Sequence, residues 1–321
     1  MSDRSAANSL GERYDVVILG GGLSGLTLAL QLKRERPATT VFVAEKRAGD
    51  APEAAFKVGE STSESGAHYF RHVLDLADHL DGEQLRKFGL RFFFPAGDNS
   101  DIAARVEYST PPTTFLYAYQ LDRGRLENEL ARRCRDAGVE VGMGSFIDGI
   151  EIGDDVHTVT LVRGGPRGDR STVSGRWLVD ASGRSGLLKR KLGFERLDTG
   201  HHVNSAWFRL RGHLDVEDWS NDEEWLGRMP EPGYRKHSTS HLAGEGYWIW
   251  IINLASGFVS IGISADPRFH PFDEIDSFDK LLEWFRRHEP QMASFVEERL
   301  YDVRKCLGCD PEEGRMRLRP L

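Results

Sequence analysis

The sequence predicts an α/β fold in which a nucleotide-binding βαβ unit alternates along the chain with an antiparallel sheet domain. Three observations carry that expectation. A strand, a glycine turn, a helix and a second strand follow one another over residues 14–45, Trp177–Gly183 is a further buried strand running into a glycine turn, and alternating apolar runs fill residues 205–263. The 321 residues are 39% hydrophobic and 29% charged, the balance of a soluble globular chain with a substantial core. A formal net charge of −8, without long single-sign blocks, argues against nucleic-acid binding, which needs a basic footprint. Three cysteines make no disulfide framework in a chain this long, so a cytoplasmic location is expected. The polar start and the glycine-interrupted run Val16–Leu32 speak against a signal peptide, a membrane span or a membrane partner.

The first strand, Tyr14–Gly20, is short, apolar and β-branched, as a strand covered on both faces must be. Gly20, Gly22 and Gly25 then fill G-x-G-x-x-G around Leu23 and Ser24, and a helical run extends to Pro37. The first glycine permits the tight turn, the second lets backbone approach a pyrophosphate, and the third lets helix pack on strand. The helix N-terminus supplies free N–H groups and the positive end of its dipole. Glu45 closes the second strand, Thr40–Glu45, 20 residues after Gly25, where a carboxylate reaches adenosine ribose hydroxyls and disfavours a 2′-phosphate. FAD or NAD is therefore expected ahead of NADP.

Downstream, residues 51–62 are irregular and contain Lys57–Thr62 (KVGEST), followed by an expected helix over Ser65–Leu80 and an aromatic strand over Leu90–Phe94. Gln120–Gly138 reads as a helix with arginines late, where the dipole favours them, and Val139–Val162 as a β-meander. Ser205–Arg211 and the pair Gly246–Asn253 and Gly257–Ile263 read as antiparallel strands, and Asp276–His288 as an amphipathic helix.

Together these segments resemble the flavin-dependent halogenases, of the tryptophan-halogenase-like kind, within the FAD-dependent aromatic monooxygenase superfamily. The resemblance rests on the order of GGGLSG with Glu45, KVGEST at 57–62, YQLDR at 119–123, DASG at 180–183 and WIWIIN at 248–253, and runs from about Tyr14 to Arg299. It implies a Rossmann-like FAD-binding domain of the para-hydroxybenzoate hydroxylase type (14–62 and 110–200), an interleaved antiparallel substrate domain (63–109 and 201–300) and an irregular tail (301–321). It implies FAD as cofactor, contacted by Gly20, Gly22, Leu23, Ser24, Gly25, Glu45, Lys46, Arg47, Gly59, Ser61, Arg123, Asp180 and Gly183. It also implies reduced flavin from a separate reductase, dioxygen, formation of a flavin peroxide, and halogenation or oxygenation of a small aromatic substrate, with halide as a further partner. A single-component NAD(P)H-dependent hydroxylase and a truncated, non-catalytic flavin-binding remnant are the alternatives.

Lys87 falls where halogenases place the lysine that handles the oxidised halide, after a helix and before an aromatic strand; a solvated helix-end lysine is the plain alternative. Lys57 is the runner-up. Glu60 is a candidate base, with a positioning or helix-capping role favoured. Trp248 and Trp250, two apart on a strand, share one face, either as core or as the wall beside flavin and substrate. Asn253 stands where the halogenase signature has proline. No metal site is expected: the histidines, His241 among them, lack ligand spacing, and Cys306 with Cys309 lacks a partner pair. The family's later Gly-Asp motif, catalytic glutamate and halide site have no counterpart here: Gly97–Asp98, Gly153–Asp154 and Gly168–Asp169 lie in loop-like surroundings, and the expectation is a member lacking its C-terminal part.

Overall fold

The computed structural model describes residues 12–53, 55, 57, 59–109, 117–165, 168–196, 200 and 202–305, and the backbone of 317–320. In chain order the elements begin β1 (Glu12–Leu19), α1 (Leu23–Glu35), β2 (Val41–Glu45), α2 (Glu64–His68), α3 (Ala77–Glu83), β3 (Leu85–Arg86), β4 (Leu90–Phe94) and β5 (Val106–Ser109). They continue β6 (Tyr119–Gln120), α4 (Arg123–Asp136), β7 (Glu140–Met143), β8 (Ser145–Glu151), β9 (His157–Arg163), β10 (Asp169–Asp180), α5 (Leu187–Lys191) and β11 (Asn204–Arg211). The last are α6 (Glu223–Leu226), β12 (Thr239–Gly244), β13 (Tyr247–Asn253), β14 (Phe258–Ala265), α7 (Phe278–His288), α8 (Pro290–Lys305) and β15 (Arg317–Pro320). The chain divides into two compact units, one of residues 1–53, 73–75 and 124–197, the other of 54–72, 76–123 and 198–321.

The first unit carries a sheet ordered β7-β2-β1-β10-β9-β8. β1 pairs in parallel with β2 and β10, and β2 with β7, while β9 joins antiparallel to β10 and β8. Val17, Leu19, Phe42 and Ala44 share one buried face with Val159, Leu161 and Val173, and α1 packs on β1 and β2 with Leu26, Ala29 and Leu30 buried. A strand covered on both sides has no polar face to alternate, which is why β1 and β2 read as unbroken apolar runs.

The second unit carries a sheet ordered β15-β11-β14-β13-β12-β4-β5 and the small pair β3-β6. Its pairings are antiparallel except β4 with β12. Those two are far apart in sequence, so no tight hairpin constrains their direction. Side chains alternate across it. Phe93, Leu242, Ile249, Ile251, Ile261 and Ile263 form a core with Trp225 of α6, Leu281, Trp284 and Phe285 of α7 and Met292 of α8. The opposite face is left for another use.

Four expectations need correction. The helix expected over Ser65–Leu80 breaks into α2, a π-turn at Tyr69–Val73 and α3, because Asp75 turns left-handed (φ 58°) while Leu74 and Leu76 are buried beside it. The helix expected from Gln120 begins at Arg123, since Tyr119 and Gln120 pair with Arg86 and Leu85. The expected tail is not wholly irregular: α8 runs to Lys305, and residues 317–320 pair with β11 at the sheet edge. Residues 54–62 and 110–123, expected with the nucleotide domain, fall in the sheet unit, where Thr62 bonds Tyr119 and Leu121 bonds Glu60 through the main chain. Cys306 and Cys309 lie outside the described residues.

Candidate functional site

Two sites are built, one in each unit. In the first, Gly20 ends β1 at φ 116° with its Cβ position pressed on the Ala181 carbonyl, and a Cβ on Gly25 would collide with the Gly20 carbonyl. Both positions therefore require glycine. Gly22 caps α1 differently: a Cβ there would meet nothing within 4 Å, no side chain caps the helix, and no acidic residue lies in its first turn at Leu23 and Ser24. An uncapped helix start beside open space, free of negative charge, fits a diphosphate. Glu45 is held by the main chain, with Oε2 accepting from Gly21 N at 3.0 Å and Oε1 from Arg47 N at 2.8 Å. Lys46 is exposed, whereas Arg47 is half-buried, donating to the Gly49 carbonyl and lying 3.7 Å from Glu127. Asp180 sits at the end of β10 and accepts from Ser182, Leu188 and Lys189; though burial opposes it, these bonds hold its carboxyl below the usual range. It ties down the turn containing Gly183 (φ 61°), whose Cβ position is also open.

The remaining residues expected at the cofactor, Gly59, Ser61 and Arg123, belong to the sheet unit. Arg123 is buried and its Nη1 lies 3.4 Å from the Gly59 carbonyl, close enough that a Cβ on Gly59 would meet it at 3.0 Å.

The sheet unit encloses a cavity of about 600 Å³. Its floor is the sheet face turned away from α7, and register assembles it. Phe92, His241, Trp250, Gly262 and Trp207 stand side by side across β4, β12, β13, β14 and β11. Thr239 lies beside Leu90 in the next row, and Ala243 opposite Trp248 on the other side. Gly262 is required because a side chain there would overlap the Trp250 indole, which lies across it. Gly59, Glu60 and Ser61 complete the wall from residues 57–62.

Lys87 is buried immediately behind that wall, with Nζ donating to Ser61 Oγ at 2.8 Å and to the Thr62 carbonyl at 2.7 Å. Ser61 Oγ in turn lies 2.8 Å from Thr239 Oγ1. Burial pulls the ammonium's pKa down, partly offset by Glu64. Glu60 is 4% exposed and paired with Arg209; desolvation pushes its carboxyl up against the pull of that guanidinium. It caps no helix, since Ser63 accepts from Gly66 N at the start of α2. Trp248 and Trp250 are on the cavity face, as their spacing requires, with Trp248 half-open to solvent. Asn253, in the signature's proline position, accepts from Leu214 N and donates to the carbonyls of Leu214 and Lys236, clamping the end of β13. His241, Thr239, Phe92 and Arg209 were not singled out from the sequence as site residues; period-2 alternation on β12 marks Thr239 and His241 as sharing a face, but only the register shows what that face lines. Among the described residues no cluster of His, Cys, Asp or Glu is placed to hold a metal, and no helix is long and apolar enough to cross a membrane.

A glycine cradle on a parallel sheet, with a carboxylate closing the second strand, defines a dinucleotide-binding protein. Residues 13–256 match the family described as FAD binding domain, and the chain belongs to it, with FAD as cofactor. Curated relatives include the flavin-dependent halogenase chlA of Dictyostelium discoideum, 27% identical over 88% of this chain and 50% of that one. Another is the tetracycline 7-halogenase of Kitasatospora aureofaciens, 28% identical over 84% of this chain and 51% of that one. This chain thus spans about half the length of the curated relatives it matches. The crystal structure of halogenase PltM in complex with phloroglucinol and FAD superposes with a TM-score of 0.67 at 21% identity, covering 90% of this chain and 58% of that one, which shows the shared fold.

Proposed function

We propose that the protein is a FAD-dependent, halogenase-like oxidoreductase acting on an aromatic molecule held in the sheet-unit cavity, fed by a separate flavin reductase. The observation that carries this is Lys87: an ammonium buried behind an aromatic-lined cavity and hydrogen-bonded to a hydroxyl of its wall. The names of the relatives support the same reading. Reduced FAD supplies the activation of dioxygen that oxidises halide to hypohalous acid. The chain's part is to bind, orient and protonate. The first turn of α1 and the glycines before it take the diphosphate. Phe92, Trp248 and Trp250 hold a planar arene and exclude water, which prolongs the life of a reactive halogen species. Lys87, through the Ser61 hydroxyl, delivers a proton to the oxygen that leaves the halogen. Glu60, tied to Arg209, positions the 57–62 segment.

The test supplies the protein with FAD, NADH, a flavin reductase, bromide or chloride, and a panel of phenols and indoles, read by mass spectrometry. Halide-dependent halogenated product, reduced at least 10²-fold in Lys87→Ala and Lys87→Met at unchanged melting temperature, is expected. Oxygenated product formed from NAD(P)H without reductase would assign the chain to the single-component hydroxylases instead. Bound FAD with no product of either kind would make it a flavin-binding remnant.

A further inference from the structure

We propose that His241 is the proton acceptor of this cavity and that the arene it serves is an uncharged hydroxyarene, a deepening that rests on the halogenase-like reading above. The imidazole stands at the centre of the floor, between Phe92 and Trp250, in ring-stacking contact with Phe92 at a centroid distance of 4.8 Å. A polar ring in the middle of an aromatic floor is costly unless it meets a partner, and a buried polar atom without one calls for an explanation. Its Nδ1 is enclosed with no hydrogen bond of normal geometry, although the main chain of Arg91 and Thr239 lies beside the ring on the acceptor side. A proton on Nδ1, turned toward those carbonyls, leaves Nε2 as the lone-pair atom for the cavity. Burial first, and then the charge of Lys87, pull the imidazole down to about 4, so it is neutral and able to accept near pH 7.

The lining also says what is excluded. Among the described residues of the lining the one charged side chain is Glu60, already engaged with Arg209, and no lysine or arginine head is present. An arene bearing a carboxylate would lose its hydration there with no cation to receive it. A neutral phenol needs only an acceptor for its O–H and stacking for its ring, and both are supplied.

The ring carbon bonds to the halogen of hypohalous acid, the halogen–oxygen bond breaks, and the departing hydroxide leaves as water with a proton delivered from Lys87 through Ser61. The hydroxyl proton of the arene passes to Nε2 of His241, so the dienone that forms is neutral. The ring proton is then lost to the Lys87 amine by the Ser61 route and the His241 proton returns to the oxygen, restoring both side chains. A base of low pKa suffices, because a hydroxyl on a ring under electrophilic attack is strongly acidic at that moment.

The first test uses binding alone. 4-Nitrophenol and its methyl ether, 4-nitroanisole, are titrated at about pH 5.5, where the phenol is uncharged and the imidazole still neutral, into the protein without FAD, halide or reductase, following tryptophan fluorescence. His241→Phe, which keeps an aromatic ring against Phe92, is expected to weaken the phenol about tenfold and leave the ether unchanged, while His241→Gln, which keeps an acceptor, retains most of the phenol affinity. In turnover with bromide, both variants are expected to lose about 10²-fold in kcat on a phenol. Equal phenol affinity in wild type and His241→Phe, or turnover unchanged in both variants, overturns the proposal, as does a wild-type protein that binds neither probe. Retained phenol selectivity in an enzyme that makes no halogenated product refutes the halogenase-like reading while leaving His241 as the phenol acceptor.

Discussion

Two glycines three residues apart on the same turn have opposite reasons to be glycine. Gly25 is fixed by the fold, because any side chain would strike the Gly20 carbonyl; Gly22 has open space where a side chain would go, and the reason proposed for its glycine is the approach of the FAD diphosphate. Gly25→Ala should therefore lower the melting temperature of the protein without FAD by several degrees, whereas Gly22→Ala should leave it nearly unchanged and weaken FAD binding by tenfold or more. Calorimetric titration with FAD alongside thermal melts separates the two effects. Lys87 is the residue whose surroundings were least legible. Next to Arg86 in a polar stretch it reads equally well as solvated, yet it is buried with its ammonium bonded to Ser61 and Thr62, 26 and 25 residues upstream. Local sequence holds no trace of that contact.

At the scale of elements, strands were read more faithfully than helices. β1, β2, β13 and β14 announce themselves by unbroken or alternating apolar runs, and those patterns survive because burial demands them; the strand expected to be buried from Trp177 lies at the end of β10 with Trp177 63% exposed. The helix expected over Ser65–Leu80 failed at Asp75, where one left-handed residue redirects the chain, and left-handed aspartate carries no periodicity to read. Pairing is likewise beyond the pattern of any one strand. Gly262 looks like an ordinary weak point in β14, yet register sets it under Trp250, whose indole needs the missing side chain. Gly262→Ala should displace that indole, cost about 1–3 kcal/mol of stability, and narrow the cavity enough to weaken 4-nitroanisole. Urea denaturation and the fluorescence titration described above measure both consequences.

For the molecule as a whole, the half-buried imidazole of His241 writes a pH dependence into global stability. The folded state keeps His241 neutral down to about pH 4, while the unfolded chain protonates it near 6.5. Between those values the unfolded state holds the extra proton, so stability falls as pH is lowered through that window and is unaffected by this group above it. The raised carboxyl of Glu60 acts in the opposite sense, losing stability as pH rises above its unfolded value, but it is common to wild type and variant. Subtracting the urea-denaturation stability of His241→Phe from that of wild type over pH 4–7 should thus leave a slope confined to the acid side, of up to a few kcal/mol; a flat difference would mean that the imidazole is solvated in the native state.

The sequence by itself determined the α/β class, the nucleotide turn with its glycines and Glu45, and the family order of motifs, because each of these is written in residues adjacent along the chain or at a fixed spacing; FAD rather than NAD followed from the family resemblance that this order carries. The tertiary structure decided the rest: that Lys87 is buried behind Ser61, that Glu60 answers to Arg209 rather than to a helix end, and that His241 stands at the centre of an aromatic floor. Those facts depend on which segments lie side by side, and folding brings together residues from 26 (Lys87 and Ser61) to 149 (Glu60 and Arg209) positions apart, for which no local pattern exists to be read.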